Sequence, residues 1–227
     1  MVGDGAVAHA LRRAVGTRGR RVLLVVTIGV GLAAAALTAG LPSGERTVAT
    51  VGELVHGAVS VPLPFVGVLL ANDLRRRPDA GVLSTIAAAV SIAVVVGLAG
   101  DVLSVAALAA AGSTAPDPWA HVGAIAVAGV LVQVLAQLVG TGLGLLIGRP
   151  AWACLATIVL PLGAYALLTP LAGVRDWLTP YAALRAVLAE SPGGPGWARW
   201  ASAALLWGVA LNVVGARRIR ATGGGRW

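Results

Sequence analysis

The chain has 227 residues, of which 58% are hydrophobic and 11% charged, against about 25% charged in an ordinary soluble domain. Its net charge is +8, but the cations flank apolar runs and form no basic face, which favours positive-inside membrane topology over nucleic-acid binding. All seventeen cations are Arg, so these residues supply neither the Lys of a Walker A loop nor a Schiff-base amine.

Residues 1–21 read as a cytoplasmic arm. Ala6 to Val15 is Ala-rich and helical in character, and Arg12, Arg13, Arg18, Arg20 and Arg21 suit a short interfacial helix on an anionic inner surface. Val22 to Leu41 is long enough to span a bilayer, which argues against a cleaved leader. A second span at about 51–71 holds Glu53 and His56 toward its outer end and Pro62 and Pro64 within, so a kinked helix packed inside the bundle is expected. Asp73, Arg75, Arg76, Arg77 and Pro78 close it.

The third apolar stretch, 81–112, is about 45 Å long as a helix, longer than a hydrocarbon core of about 30 Å. Asp101 falls late in it, near Gly97 and Gly100. A short outer loop with Pro116 and Pro118 leads to a fourth span at 121–147 and a fifth at 151–174. Only Gly148, Arg149 and Pro150 separate those two, with Pro at a helix start where its missing N–H does no harm. Thr179 to Glu190 opens with an N-cap candidate and Pro180, is too short and polar to span, and rests on the membrane or re-enters it. A sixth span at 200–215 ends on Arg217, Arg218 and Arg220.

The predicted class is an all-α integral membrane protein with six transmembrane helices, divided into an arm (1–21), a membrane domain (22–216) and a cytoplasmic tail (217–227). With both termini inside, thirteen Arg lie on the inner side and four on the outer, the asymmetry that the positive-inside rule requires. Trp119, Trp152, Trp177, Trp197 and Trp200 fall at span ends, as an aromatic belt would place them. The dominance of Ala, Gly, Val and Arg points to a GC-rich bacterial genome and so to a bacterial cell membrane.

Few residues offer chemistry. His9, His56 and His121 lack metal-ligand spacing, Cys154 reads as an apolar packing group, and no catalytic or cofactor motif stands out. Asp101 is the one acid well inside a span, which leaves an interfacial or helix-bend role and a polar path both open. Gln133, Gln137 and Thr141 share a helix face, as glue between helices or as a substrate route. Gly140, Gly144 and Gly148 repeat every four residues and permit close helix approach, within the chain or to a second copy. The charged NDLRRR segment, 72–77, is a topology anchor or a docking point.

The order of these features resembles the membrane subunits of type-2 ABC transporters, the exporter-type permeases. Four features carry the resemblance: the basic interfacial arm, the charged loop after the second span, the run GTGLGLLIGRPAWACLATIVLPLGAY, and a short external helix between the fifth and sixth spans, the Pro180-led segment. The resemblance implies a six-helix half-channel that pairs with a second permease copy and docks a separate ABC-type ATPase subunit, which supplies ATP chemistry. It assigns the coupling loop to Asp73, Arg75, Arg76 and Arg77, with Asp79 and Gly81 as a weak echo of the family's acidic-then-Gly pattern. The alternative is a non-transporting membrane accessory or immunity protein; a secondary transporter and an intramembrane enzyme are further readings. Reporter fusions at either terminus are expected to be protected from protease added to intact cells. Cleavage of either one from outside would reverse the assigned topology.

Overall fold

The computed structural model describes residues 12, 15–76, 81–188 and 194–221, and of residues 75 and 76 only the backbone. About 85% of it is helix, and no strand occurs among the described residues. Six stretches are long and apolar enough to cross a membrane: Arg18–Gly40, Val48–Leu74, Val82–Ala111, Val122–Leu146, Pro150–Leu167 and Gly194–Ala221. Apart from their end turns, helices satisfy their backbone N–H and C=O groups within the segment, which lipid cannot do for them.

The first span is helix α1, Arg18–Leu37, followed by a 3-10 turn to Gly40. It begins four residues earlier than the apolar run, so Arg18, Arg20 and Arg21 belong to the helix and not to an arm. Arg20 tolerates this because it is buried against the second half of the second span, where it donates to the Leu69 carbonyl and pairs with Asp73. The remainder of the expected interfacial helix lies outside the described residues, save Arg12 and Val15, the latter in a turn over residues 15–17.

The second span is broken as the prolines require. Helix α2, Val48–Val59, begins at Thr47, whose side chain accepts from the Thr50 N–H. It stops at a turn over Ser60–Pro62, and α3, Leu63–Arg76, restarts with Pro64 at its second position. There a proline's missing N–H costs no intrahelical bond. Ser60 satisfies one exposed carbonyl by donating to Gly57 O at 2.8 Å.

The third span is a single helix, α4, Val82–Ala111, of 30 residues. Arg46, on the connection between α1 and α2, donates to the carbonyls of Ala39, Leu41, Ala111 and Gly112. One guanidinium thereby ties together the unsatisfied carbonyl ends of α1 and α4.

Helix α5, Val122–Leu146, is the fourth span and the centre of the bundle, packed against α2, α3, α4 and the later helices. Its glycines set the spacing. A Cβ on Gly140 would stand 2.1 Å from Pro64 O, and one on Gly144 would stand 2.8 Å from Ala71 Cβ. The close partner of this stripe is therefore α3 of the same chain. Gly148 lies past the end of α5, in the turn before Pro150, and is not part of the packing face.

Helix α6, Pro150–Leu167, is the fifth span and ends seven residues earlier than 174. Pro170 explains the stop, since the residue before a proline disfavours helix. Two short helices follow, α7, Ala172–Leu178, and α8, Pro180–Leu188. The last span joins α9, Gly194–Ala203, a π-wound turn at Ala204–Ala210, and α10, Leu211–Ala221. It begins before Trp200 and runs past Gly215, into the segment expected as a tail. Its early charge, Arg199, lies 4.0 Å from Asp176 on α7.

Replacing Gly140 by Ala forces a methyl against backbone and is expected to cost about 1–3 kcal/mol, as overpacking does. Gly163→Ala meets nothing within 4 Å and should leave the melting temperature unchanged or raised. Thermal unfolding of both variants in detergent checks the contrast.

Candidate functional site

Two features could carry function: a polar network in the bundle interior and an apolar cavity beside it. The network joins three helices. His56, on α2, is 1% exposed, and its Nε2 lies 2.8 Å from Asp101 Oδ1 on α4. From α5, the Gln133 amide donates to His56 O at 3.0 Å and to the ring Nδ1 at 3.3 Å. With Nδ1 accepting, Nε2 carries the ring hydrogen and donates it to the carboxylate.

Glycine makes room for the ring. A Cβ on Gly129 of α5 would fall 2.3 Å from His56 Nε2 and 2.8 Å from Asp101 Oδ1. One on Gly100 of α4 would fall 2.8 Å from His56 Cε1. The imidazole is thus clamped between two bare backbone patches. Asp101, which has no neighbouring charge in its own segment, acquires its partner 45 residues earlier in the chain.

Gln133, Gln137 and Thr141 do share a face and are all buried, but each meets a different surrounding. Thr141 donates to Asn212 Oδ1 at 2.8 Å, and the Asn212 amide donates to Leu138 O and to Gly208 O, both at 2.7 Å. That side chain fastens the π-wound last span to α5. Gln137 faces Gly67 of α3, and neither of its amide atoms has a hydrogen-bond partner. The stripe is therefore two helix ties with one unsatisfied glutamine between them.

The cavity holds about 220 Å³. It lies where the break in the second span leaves space, lined by Val61 and Pro64 there, Leu135 of α5, Pro161 of α6, and Leu184 of α8. Trp200 of the last span also borders it, and its indole N–H is buried without an acceptor. Val61, Leu162 and Tyr181 are exposed lining residues that form its rim. By comparison, an apolar cavity of about 150 Å³ admits benzene.

Helix α8 completes this region. Leu184, Val187 and Leu188 are buried in the main core with residues of α2, α3, α4 and α5. The Pro180-led segment therefore packs into the bundle and does not lie loosely across its end. Arg185 also reaches Glu53 on α2 at 3.2 Å.

Of the NDLRRR segment, Asp73 is engaged by Arg20 within the chain. Arg75 and Arg76 occupy the last turn of α3, and Arg77 lies outside the described residues, as does Asp79. Sequence reasoning missed the His56–Asp101 pair because the two residues sit in separate spans. It also missed Asn212, a lone amide in an apolar run, which was a readable signal. Family models, curated proteins and solved structures give no match to this chain.

Losing Gln133 to Leu leaves buried His56 groups without their donor and should cost about 1–3 kcal/mol. Gln137→Leu removes only unsatisfied atoms and should be neutral or stabilising. Comparing the two melting temperatures tests the division, and equal losses would refute it.

Proposed function

We propose that the chain is the membrane-spanning permease subunit of an ATP-driven exporter, coupled to a separate ATPase and paired with a second permease copy. One observation carries the reading: α8 re-enters the bundle between the fifth and sixth spans and borders a cavity with the broken second span. Six spans with a short helical element between the last two support the reading, although the resemblance implies an external helix and α8 packs into the core. The cavity is a route for an apolar or amphipathic substrate. Since these residues contain no Lys, ATP is bound by the partner subunit.

The second-span end, with Arg75, Arg76 and Arg77, is the proposed docking point for the ATPase. Asp73 acts differently from its neighbours, holding α3 to α1 through Arg20. The proposed orientation places both termini and this end of α3 in the cytoplasm of a bacterial cell membrane.

The test is co-purification and transport. The chain, expressed with a Walker A ATPase found encoded beside its gene, is expected to retain that subunit and to support ATP-dependent export from vesicles. Joint substitution of Arg75, Arg76 and Arg77 by Ala should release the ATPase. Val61→Trp, placed at the rim of the cavity, should cut export while leaving ATPase assembly intact. A chain that purifies alone and supports no ATP-dependent movement would favour the accessory reading instead.

A further inference from the structure

We infer that the His56–Asp101 pair is a proton-binding site, loaded from the end of the bundle that carries the 41–47 and 112–121 connections, with Asp101 Oδ2 as the receiving atom. The inference does not depend on the export reading.

The argument starts from charge. Gln133 donates toward Nδ1, so the ring is neutral with its hydrogen on Nε2, pointing at Asp101 Oδ1. The carboxylate then leaves the network with one uncompensated negative charge inside a membrane bundle, an expensive arrangement. Among the described residues the one ion pair that Asp101 makes is that with His56. The 41–47 and 112–121 connections carry Glu45, Arg46, Asp117 and His121, of which Arg46 is engaged by backbone carbonyls. Asp101 is the only charged residue of α4, and α5 has none. On α2 the other charge, Glu53, is turned to Arg185. The charged groups of α1 and of α3 lie toward the opposite end of the bundle.

Hydrogen bonding selects the atom. Asp101 Oδ2 is buried and accepts from no donor, whereas Oδ1 is occupied by the imidazole. The ring's free acceptor, Nδ1, is covered by the Gln133 amide. A proton arriving at Oδ2 forms one O–H bond, breaks none within the protein, and brings the network from one negative charge to neutral. Had it gone to Nδ1, the Gln133 amide would have to turn away and lose its bond to His56 O.

A route exists for that proton. A crevice of about 10 Å³ touches His56, Asp101 and Ser104, and reaches Val48 and Val122, the first residues of α2 and α5. That is about the space of one water molecule. The pair lies about 12 Å below the start of α2, at 1.5 Å per residue over eight residues. Asp101 retains 14% exposure of its side chain, but Oδ2 itself is buried, so the proton reaches it by way of this crevice and not from the open surface. Gly100 and Gly129 leave no slack around the ring, and a change in the pair's charge is felt directly where α2, α4 and α5 meet.

The experiment uses the full chain in nanodiscs, titrated from about pH 8 to 4, so that the histidine range and the approach to the carboxylate range are both covered. Infrared difference spectra of the wild type should gain protonated-carboxyl absorption, and Asp101→Asn should lack one component of it while that of the other acidic residues, such as Glu45 and Asp117, remains. Nitrogen NMR of histidine rings, assigned with His56→Gln, supplies an independent readout on wild-type protein should Asp101→Asn fail to fold. It should show His56 protonated on Nε2 alone at both ends of the titration, with a shift of that signal as the carboxyl is neutralised. Carboxyl absorption identical in Asp101→Asn and the wild type, a His56 ring that gains a second proton, or a His56 signal that does not change with pH would each overturn the assignment.

Discussion

Everything in this bundle depends on how closely α5 can approach its neighbours. Hydrocarbon supplies no hydrophobic drive between helices, so association in lipid rests on van der Waals packing and interhelical hydrogen bonds. Both need short distances. On α5, Gly140 and Gly144 bring in α3, Gly129 brings in the His56 ring, and Gly142 lets the backbone of Leu211 and Asn212 close in. The polar ties follow from that proximity: Gln133 to His56, and Thr141 to Asn212. Without the glycines, these side chains would not reach.

The same economy places the rest. The break at Ser60–Pro62 lets α2 and α3 run in different directions, and the space it opens becomes the cavity that α8 borders. The outer surfaces of α1 and α6 remain strongly apolar and exposed, with residues such as Val25 and Leu155 facing outward. In a bilayer those surfaces face lipid, or another chain of similar character.

The bundle also separates two kinds of charge. Arg46, Arg185 and Arg199 meet carbonyls or carboxylates at one end, whereas Arg20 meets Asp73 at the other. These tie helix ends together, and the one that is buried, Arg20, has its charge met by Asp73. His56 and Asp101 are different: they sit within the spans, and their pairing leaves one carboxyl oxygen unsatisfied. Charge at the ends is a staple, while charge in the interior is a group with a state to change.

Composition and periodicity alone determined the class of this protein, because a span announces itself by length and hydropathy in one continuous segment. They also determined the break at Pro62 and Pro64 and the close packing at Gly140 and Gly144, since proline's missing N–H and glycine's missing side chain act locally. Span ends were less legible. Arg20, Arg199 and the Arg217–Arg220 cluster look like boundaries in sequence, yet a helix carries them wherever a partner or water receives the charge. Only the tertiary structure decided what Asp101 does. Its partner is 45 residues away, its space is cleared by glycines on two helices, and its third neighbour comes from α5. No local pattern encodes such a meeting, because it depends on which faces three separate spans present to one another.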